Sequence, residues 1–225
     1  MPGAKSPQPV RRKQIISAAY RVAAERGLTG TRIGEIAERA GVSHGLVLFH
    51  FKSKRGLVLA LLDWLLESTT VLHPGADILV LTSPFDRLRA LLRQEMNRLS
   101  SEPQRTRLTF DFWSAGVRDA AIRSKMRTEF ARYRAAFRPV AEAVIAADPA
   151  RFRGVTAAGL AAVSVSFIKG CAVQSMIDHE HFDIAEYLAA AERLIQEAPP
   201  PRRRPAPARP RSAPPARRSH ATHDA

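Results

Sequence analysis

The sequence predicts an all-α fold: a three-helix helix-turn-helix domain followed by a larger helical domain. Apolar residues recur at helical spacings along most of the chain, and no strand pattern or internal repeat competes with them. The stretch 31–54, TRIGEIAERAGVSHGLVLFHFKSK, reads as two short helices around a tight turn, which must cross steeply. Near the C-terminus, 152–177 is apolar nearly all round and 184–197 carries a clean stripe, so both need covering on several faces.

The elements follow in order. Residues 1–9 carry Pro2, Pro7 and Pro9 and are expected to form a flexible arm. A first helix is expected over 10–26, burying Ile15, Ala19, Val22 and Ala23 and ending at Gly27. Thr31 is read as the N-cap of a second helix, 31–40, whose buried stripe is Ile33, Ile36, Ala37 and Ala40. Gly41 ends it, because a left-handed residue is least strained as glycine. Val42 is a small apolar plug, and Ser43 caps a third helix over about 44–50. Ser53 caps a fourth, with Leu57, Leu61, Leu62, Leu65 and Leu66 facing inward. His73-Pro74-Gly75 breaks that helix. The first domain is placed at 10–69, with its motif at about 32–51, and the second at 70–197.

In the second domain, Ser83-Pro84 starts a helix lined by Phe85, Leu88, Leu91, Leu92 and Leu99. Pro103 opens another that carries Leu108, Phe112 and Trp113 to Ala115, and Gly116 is expected to end it. A long helix runs from about 119 towards 147, with Ile122, Met126, Phe130, Tyr133, Phe137, Val140 and Val144 near one face. Pro139 is expected to kink it, and Asp148-Pro149 to stop it. The 152–177 run, interrupted by Lys169, reads as a buried helix and not a membrane span. Ile184, Tyr187, Leu188, Ala191, Leu194 and Ile195 give the last helix a bundle-packing stripe. From 198 onward, eight of the sixteen prolines and seven arginines crowd into a segment that cannot form a core, so a disordered Pro/Arg-rich tail is expected.

Charge divides the chain in the same way. The net charge is +14. Residues 1–60 hold eleven Lys and Arg against three Glu, residues 61–197 balance at zero, and 198–225 carry +6. A polyanionic partner is therefore expected at the helix-turn-helix end. The single cysteine, Cys171, excludes an internal disulfide framework and reads as an inert buried thiol. With no export signal and no membrane segment, a cytoplasmic location is expected.

A helix-turn-helix sets its second helix in the major groove of double-stranded DNA. Thr31 and Arg32 begin the leading helix, and Arg32 could meet a phosphate or a guanine edge. Ser43 and His44 open the second helix, where free amides favour phosphate. Gly45 permits a close backbone approach, and Leu46 could touch a thymine methyl. Phe49 could pack on sugar, while His50 and Lys54 are placed as phosphate clamps. Arg11, Arg12 and Lys13 could add contacts from the first helix. Val47, Leu48 and Phe51 read as core; Leu46 and Phe49 divide between core and interface.

These residues resemble the TetR family of bacterial transcriptional regulators. The resemblance rests on Ile15, Ala18-Ala19, Gly27, Thr31, Ile36-Ala37, the run from Ala40 to Ser43, Gly45, His50-Phe51, Ser53-Lys54 and Leu57, and covers about 10–65. The pattern GLVLFHF, with Phe112-Trp113, Ile168-Lys169-Gly170 and Phe182-Asp183 further on, resembles a BetI-like subset over about 85–195. One departure stands out. Relatives often carry a phosphate-binding tyrosine where this chain has Leu48, so that role is not carried over. The resemblance implies a homodimer joined through the last two helices into a four-helix bundle. It also implies a palindromic operator and a pocket in the C-terminal helices for an unknown small-molecule effector, with no cofactor. Candidate pocket residues are Asp111, Phe112, Trp113, Met126, Phe130, Phe137, Phe167, Gln174 and Met176, which at helical spacing also fit plain core.

Asp178, His179, Glu180 and His181 could suggest a metal site, but adjacent polar residues in a turn need no ligand to explain them, and no metal is expected. No phosphate loop, nucleophile elbow or acid–base pair stands out, so an enzyme is not expected. The expected function is a dimeric DNA-binding transcriptional regulator, a repressor released from its operator by a small ligand. The competing reading is a ligand-independent architectural DNA binder whose tail adds non-specific affinity.

Overall fold

The computed structural model of the chain describes residues 7–68 and 73–195. The described residues form ten α-helices and no strand. Helix α1 (Gln8–Gly30) packs against α2 (Ile33–Arg39) and α4 (Lys54–Glu67), and α3 (His44–Phe51) is held between α2 and α4. Their shared core is Ile15, Ala18, Val22, Ile36, Val47, Leu57, Leu61 and Leu62, each at most 1% exposed. Helices α5 (Ala76–Leu79), α6 (Pro84–Ser101), α7 (Pro103–Arg118), α8 (Ala120–Ala147), α9 (Ala157–Ile177) and α10 (Ile184–Ile195) build the rest. Their core centres on Leu88, Leu92, Phe137, Val144, Ile168 and Cys171.

The two cores are bridged by α7 and α8. Leu108 and Phe112 of α7 and Ile122 and Met126 of α8 are buried in the same cluster as the N-terminal helices. Polar contacts reinforce this seam: Asp111 Oδ2 accepts the Leu28 amide at 3.3 Å, and Lys125 meets Asp63 at 2.6 Å.

Several boundaries differ from expectation, for local reasons. Helix α1 begins at Gln8, because Pro9 suits a first helical turn, so residues 8–9 are not arm. Residues 1–6 and the tail from 196 onward lie outside the described residues. Gly27, at φ 71° and ψ 169°, breaks the helical path as expected, but a further turn follows to Gly30. Thr31 does not cap α2. It is buried, and its hydroxyl donates to the Gly27 carbonyl at 2.9 Å, tying down the kink; Arg32 takes the N-cap position without a side-chain bond. Gly116 does not end α7. It is a buried helical residue, and a Cβ there would sit 3.4 Å from Ile122, so it permits close packing of α7 on α8. Helix α8 continues through Pro139 to Ala147. Helix α9 starts only at Ala157, capped by Thr156 Oγ1 on the Gly159 amide, which leaves Phe152 in the preceding turn. The four-residue α5 has no counterpart in the sequence reading.

Helix α9 is long and apolar enough to cross a membrane by length and composition alone. In the fold it packs on α6, α8 and α10.

Candidate nucleic-acid interface and interior cavity

The candidate nucleic-acid interface is the outer face of α2 and α3. Ser43 holds an extended conformation, and its Oγ accepts the Leu46 amide at 3.2 Å, which fixes where α3 starts. Val47 and Phe51 are buried against the core, and this anchors one side of α3. The opposite side is open: His44 and Gly45 are exposed, a Cβ added at Gly45 would meet no other part of the protein within 4 Å, and Phe49 is 57% exposed. Leu46, Leu48 and His50 are half-buried, while Arg32, Ser43 and Lys54 are exposed.

The fold gathers these residues with the front of α1. Arg12 donates to the His50 carbonyl at 3.3 Å and lies 4.6 Å over the Phe51 ring, so α1 carries a cation onto the end of α3. Lys52, which sequence reasoning passed over, follows α3 at φ 66° and places its ammonium 5.3 Å over Phe49. Of the sequence-derived contacts only Thr31 is withdrawn by its burial. The resulting surface combines cations, open helix N-terminal amides and one projecting aromatic ring, which suits phosphate and base-edge contact.

A narrow, partly open cavity lies between α4, α6, α7, α8 and α9, with about 30 Å³ of free space at its centre, room for about one water molecule. Leu66, from the last turn of α4, is part of the lining. Leu99, Phe110, Met126 and Phe130 supply apolar wall, and Trp113 stands among them, 4.4 Å from Phe110 and 4.8 Å from Phe130 between ring centres.

Its polar side is a charged network. Glu95 is buried, accepts from Arg98 at 2.7 Å, and accepts the Tyr133 hydroxyl at 2.6 Å. Burial and the neighbouring Glu95 push the Tyr133 hydroxyl well above its ordinary range. Glu129 is raised by burial and faces Arg132 at 3.6 Å. Lys169 projects from α9, with its ammonium 4.5 Å over Tyr133 and 5.4 Å over Trp113. Burial, helped by Arg98, lowers Lys169 to about 8.

Of the sequence-derived pocket candidates, Trp113, Met126 and Phe130 line this cavity. Gln174 lines a shallow hollow beside it, together with Trp113, Phe130 and Lys169. Phe112 and Phe137 are fully buried core. Phe167 packs on the second core, and its carbonyl accepts the Tyr187 hydroxyl at 3.0 Å. Met176 lines a separate hollow near His179. Asp111 faces α1 instead, holding Leu28. Sequence reasoning missed Arg98, Glu129, Tyr133 and Lys169 as cavity groups. The Glu95–Arg98–Tyr133–Lys169 cluster spans three helices, and apart from the i,i+3 pair Glu95–Arg98 its members are far apart in sequence. His181 pairs with Asp178 at 2.9 Å in an exposed turn.

Comparison with known proteins gives a consistent picture. Residues 15–61 match the family described as bacterial regulatory proteins, tetR family, and residues 84–199 match BetI-type transcriptional repressor, C-terminal. A curated relative, the HTH-type transcriptional regulator BetI of Pectobacterium carotovorum subsp. carotovorum (strain PC1), is 28% identical over 203 residues, covering 84% of this chain and 94% of that protein. A TetR transcription regulator from Haloarcula marismortui superposes with a TM-score of 0.63 at 22% identity, over 83% of this chain and 95% of the other. A putative transcriptional regulator from Saccharomonospora viridis, solved in complex with choline, gives 0.64 at 19% identity, over 84% and 96%.

Proposed function

The chain belongs to the TetR family of bacterial transcriptional regulators, with a BetI-type C-terminal part; from that premise we propose that it works as a homodimeric repressor whose operator grip is released by a small molecule in the α4–α9 cavity. The observation that carries this reading is the span of α4. Its first turn follows α3 directly, where Ser53 Oγ caps it on the Gly56 amide at 3.0 Å, and its last turn puts Leu66 into the cavity wall. One rigid helix therefore joins the nucleic-acid face to the cavity. A ligand that displaces Leu66 tilts α4 and moves α3 with it. The effect requires the ligand to bind the two positions of α4 with different affinity. A second tie acts at the front of α4: Arg55 pairs with Asp119, the N-cap of α8, with one contact at 3.0 Å.

The homodimer reading rests on the outer faces of α9 and α10. Val163, Ile177 and Leu194 are 48%, 78% and 67% exposed, and Ala158, Gly159, Ala185, Ala189 and Ala190 keep the surrounding surface low. Small residues flanking large apolar ones suit close helix packing across a two-fold axis. Such a dimer presents two α3 helices to a palindromic site with half-sites about 34–36 Å apart. On this reading the protein acts on chromosomal DNA in the cytoplasm, binds no metal, and does no catalysis.

The test is fluorescence anisotropy on duplexes tiling the DNA upstream of its own gene, at fixed salt. Specific binding to one palindromic segment, lost in Val163→Arg together with dimer mass in light scattering, is expected. Full operator affinity in a monomeric Val163→Arg protein would refute the dimer reading.

A further inference from the structure

The chemistry of the cavity says more about its occupant than family membership does. Lys169 reaches from α9 to lie over both Tyr133 of α8 and Trp113 of α7, at 4.5 Å and 5.4 Å. These are the aromatic faces that would otherwise attract a ligand cation. The chain's own ammonium already holds that place. Its three N–H groups make no hydrogen bond or ion pair among the described residues, although the side chain is mostly buried. The other polar groups of the wall are committed: Arg98 to Glu95 and Tyr133, Thr106 to the Leu99 carbonyl, and Thr109 to the Arg105 carbonyl. Glu129 faces Arg132. Lys169 is therefore the wall donor without a hydrogen-bond acceptor, with the Glu95 and Glu129 carboxylates as the opposing charges nearby. Beside it, Trp113, Phe110 and Phe130 offer a contiguous apolar wall.

We propose that the effector is a monocarboxylate with an aryl or short alkyl body. Its carboxylate accepts from the Lys169 ammonium, and its body lies against Trp113 and Phe130. Quaternary ammonium compounds are refused, because Lys169 fills the aromatic site and repels a second cation. The proposal rests on the ligand-release reading above and deepens it. An anion adds charge-assisted hydrogen bonds to donors that burial has left unused. The charged and titratable groups facing Lys169 are Glu95 and Arg98 from α6 and Glu129 and Tyr133 from α8. Glu102 and Arg105 stand further along the wall, at the α6–α7 junction.

Titration calorimetry on the full-length protein without DNA tests this with two probes, 3-phenylpropionate and choline. The wild-type protein is expected to bind 3-phenylpropionate and give no heat with choline. Lys169→Met should weaken the carboxylate at least tenfold and Lys169→Arg should retain it. As a check independent of any variant, the wild-type protein should lose affinity for the carboxylate as pH rises from 7 to 9.5 and Lys169 gives up its proton. Choline binding by the wild-type protein, failure to bind 3-phenylpropionate, or equal carboxylate affinity in Lys169→Met each overturns the proposal. Operator release is read separately by anisotropy. Lys169-dependent carboxylate binding that leaves the operator occupied would refute ligand release while sustaining the cavity's selectivity. Release by choline would do the reverse.

Discussion

At the scale of single residues, Lys169 and Gly56 carry the most consequence. Lys169 is held below its free value of 10.5, at about 8, chiefly by burial. The unfolded chain therefore binds the proton more tightly than the folded one, and the protonated lysine works against folding at every pH below about 8. That penalty is relieved as pH climbs from about 8 towards 10.5. Lys169→Met is expected to be the more stable protein at pH 7, by on the order of 3 kcal/mol at most, with the gap closing by about pH 10 in denaturant melts. A gap that is flat or widening with pH would contradict the burial of a charged amine. Gly56 has a different role. A Cβ there would collide with the Phe51 carbonyl oxygen, which is backbone and cannot swing aside. Gly56→Ala is therefore expected to distort the α3–α4 junction and reduce operator affinity at least tenfold, with loss of thermal stability. At this scale the sequence was partly legible. Ser43 and Ser53 announce themselves as caps by type and position. Thr31 has the same chemistry, yet its hydroxyl turns back to Gly27, because the positive φ there leaves a carbonyl within reach. Lys169 read as an interruption of an apolar run and as part of the BetI-like pattern Ile168-Lys169-Gly170, not as a cavity group. Its direction depends on how α9 is rotated against α8, which no local spacing reveals.

At the scale of elements, short helices depend on their ends. Helix α3 has only eight residues, too few to persist alone, so its position depends on the Ser43 cap and on the buried Val47 and Phe51. Ser43→Ala is expected to destabilise the protein by about 1 kcal/mol and to weaken operator binding beyond that stability loss, since α3 would fray at the end proposed to meet DNA. Unchanged affinity would mean that the N-terminus of α3 does not contact DNA. Helix α8 begins on Asp119, which accepts the Ala121 and Ile122 amides at 2.9 Å and 3.1 Å and also pairs with Arg55 of α4. The Arg55 contact, ahead of these amides, holds the Asp119 carboxyl below its ordinary range. Asp119→Ala should leave specific DNA binding intact while altering the response to effector, because it removes a tie between the cavity helices and the front of α4. Helix existence followed well from apolar spacing, since burial imposes that period. Ends were harder. Gly116 has the composition of a stop signal, but close packing against Ile122 uses its missing side chain instead.

At the scale of the whole molecule, charge and shape agree. The basic excess of the described residues gathers around α1–α4, and the cavity helices are balanced. The two-part organisation was visible in composition and periodicity, whereas the seam was not: Phe112 and Met126 belong by sequence to the second part yet pack with the first core. On the proposed reading, this shared packing is the route from the cavity to the nucleic-acid face. The Arg/Pro-rich segment beyond 197 lies outside the described residues, and its effect separates by salt. Removing 198–225 should flatten the salt dependence of binding while preserving the preferred site. The most direct test of the account is a footprint of the full-length protein on the DNA upstream of its own gene at about 150 mM salt. One protected palindrome with two half-sites a helical turn apart, lost in His44→Ala, is expected. Uniform protection without a preferred site, or a footprint indifferent to His44→Ala, would contradict it.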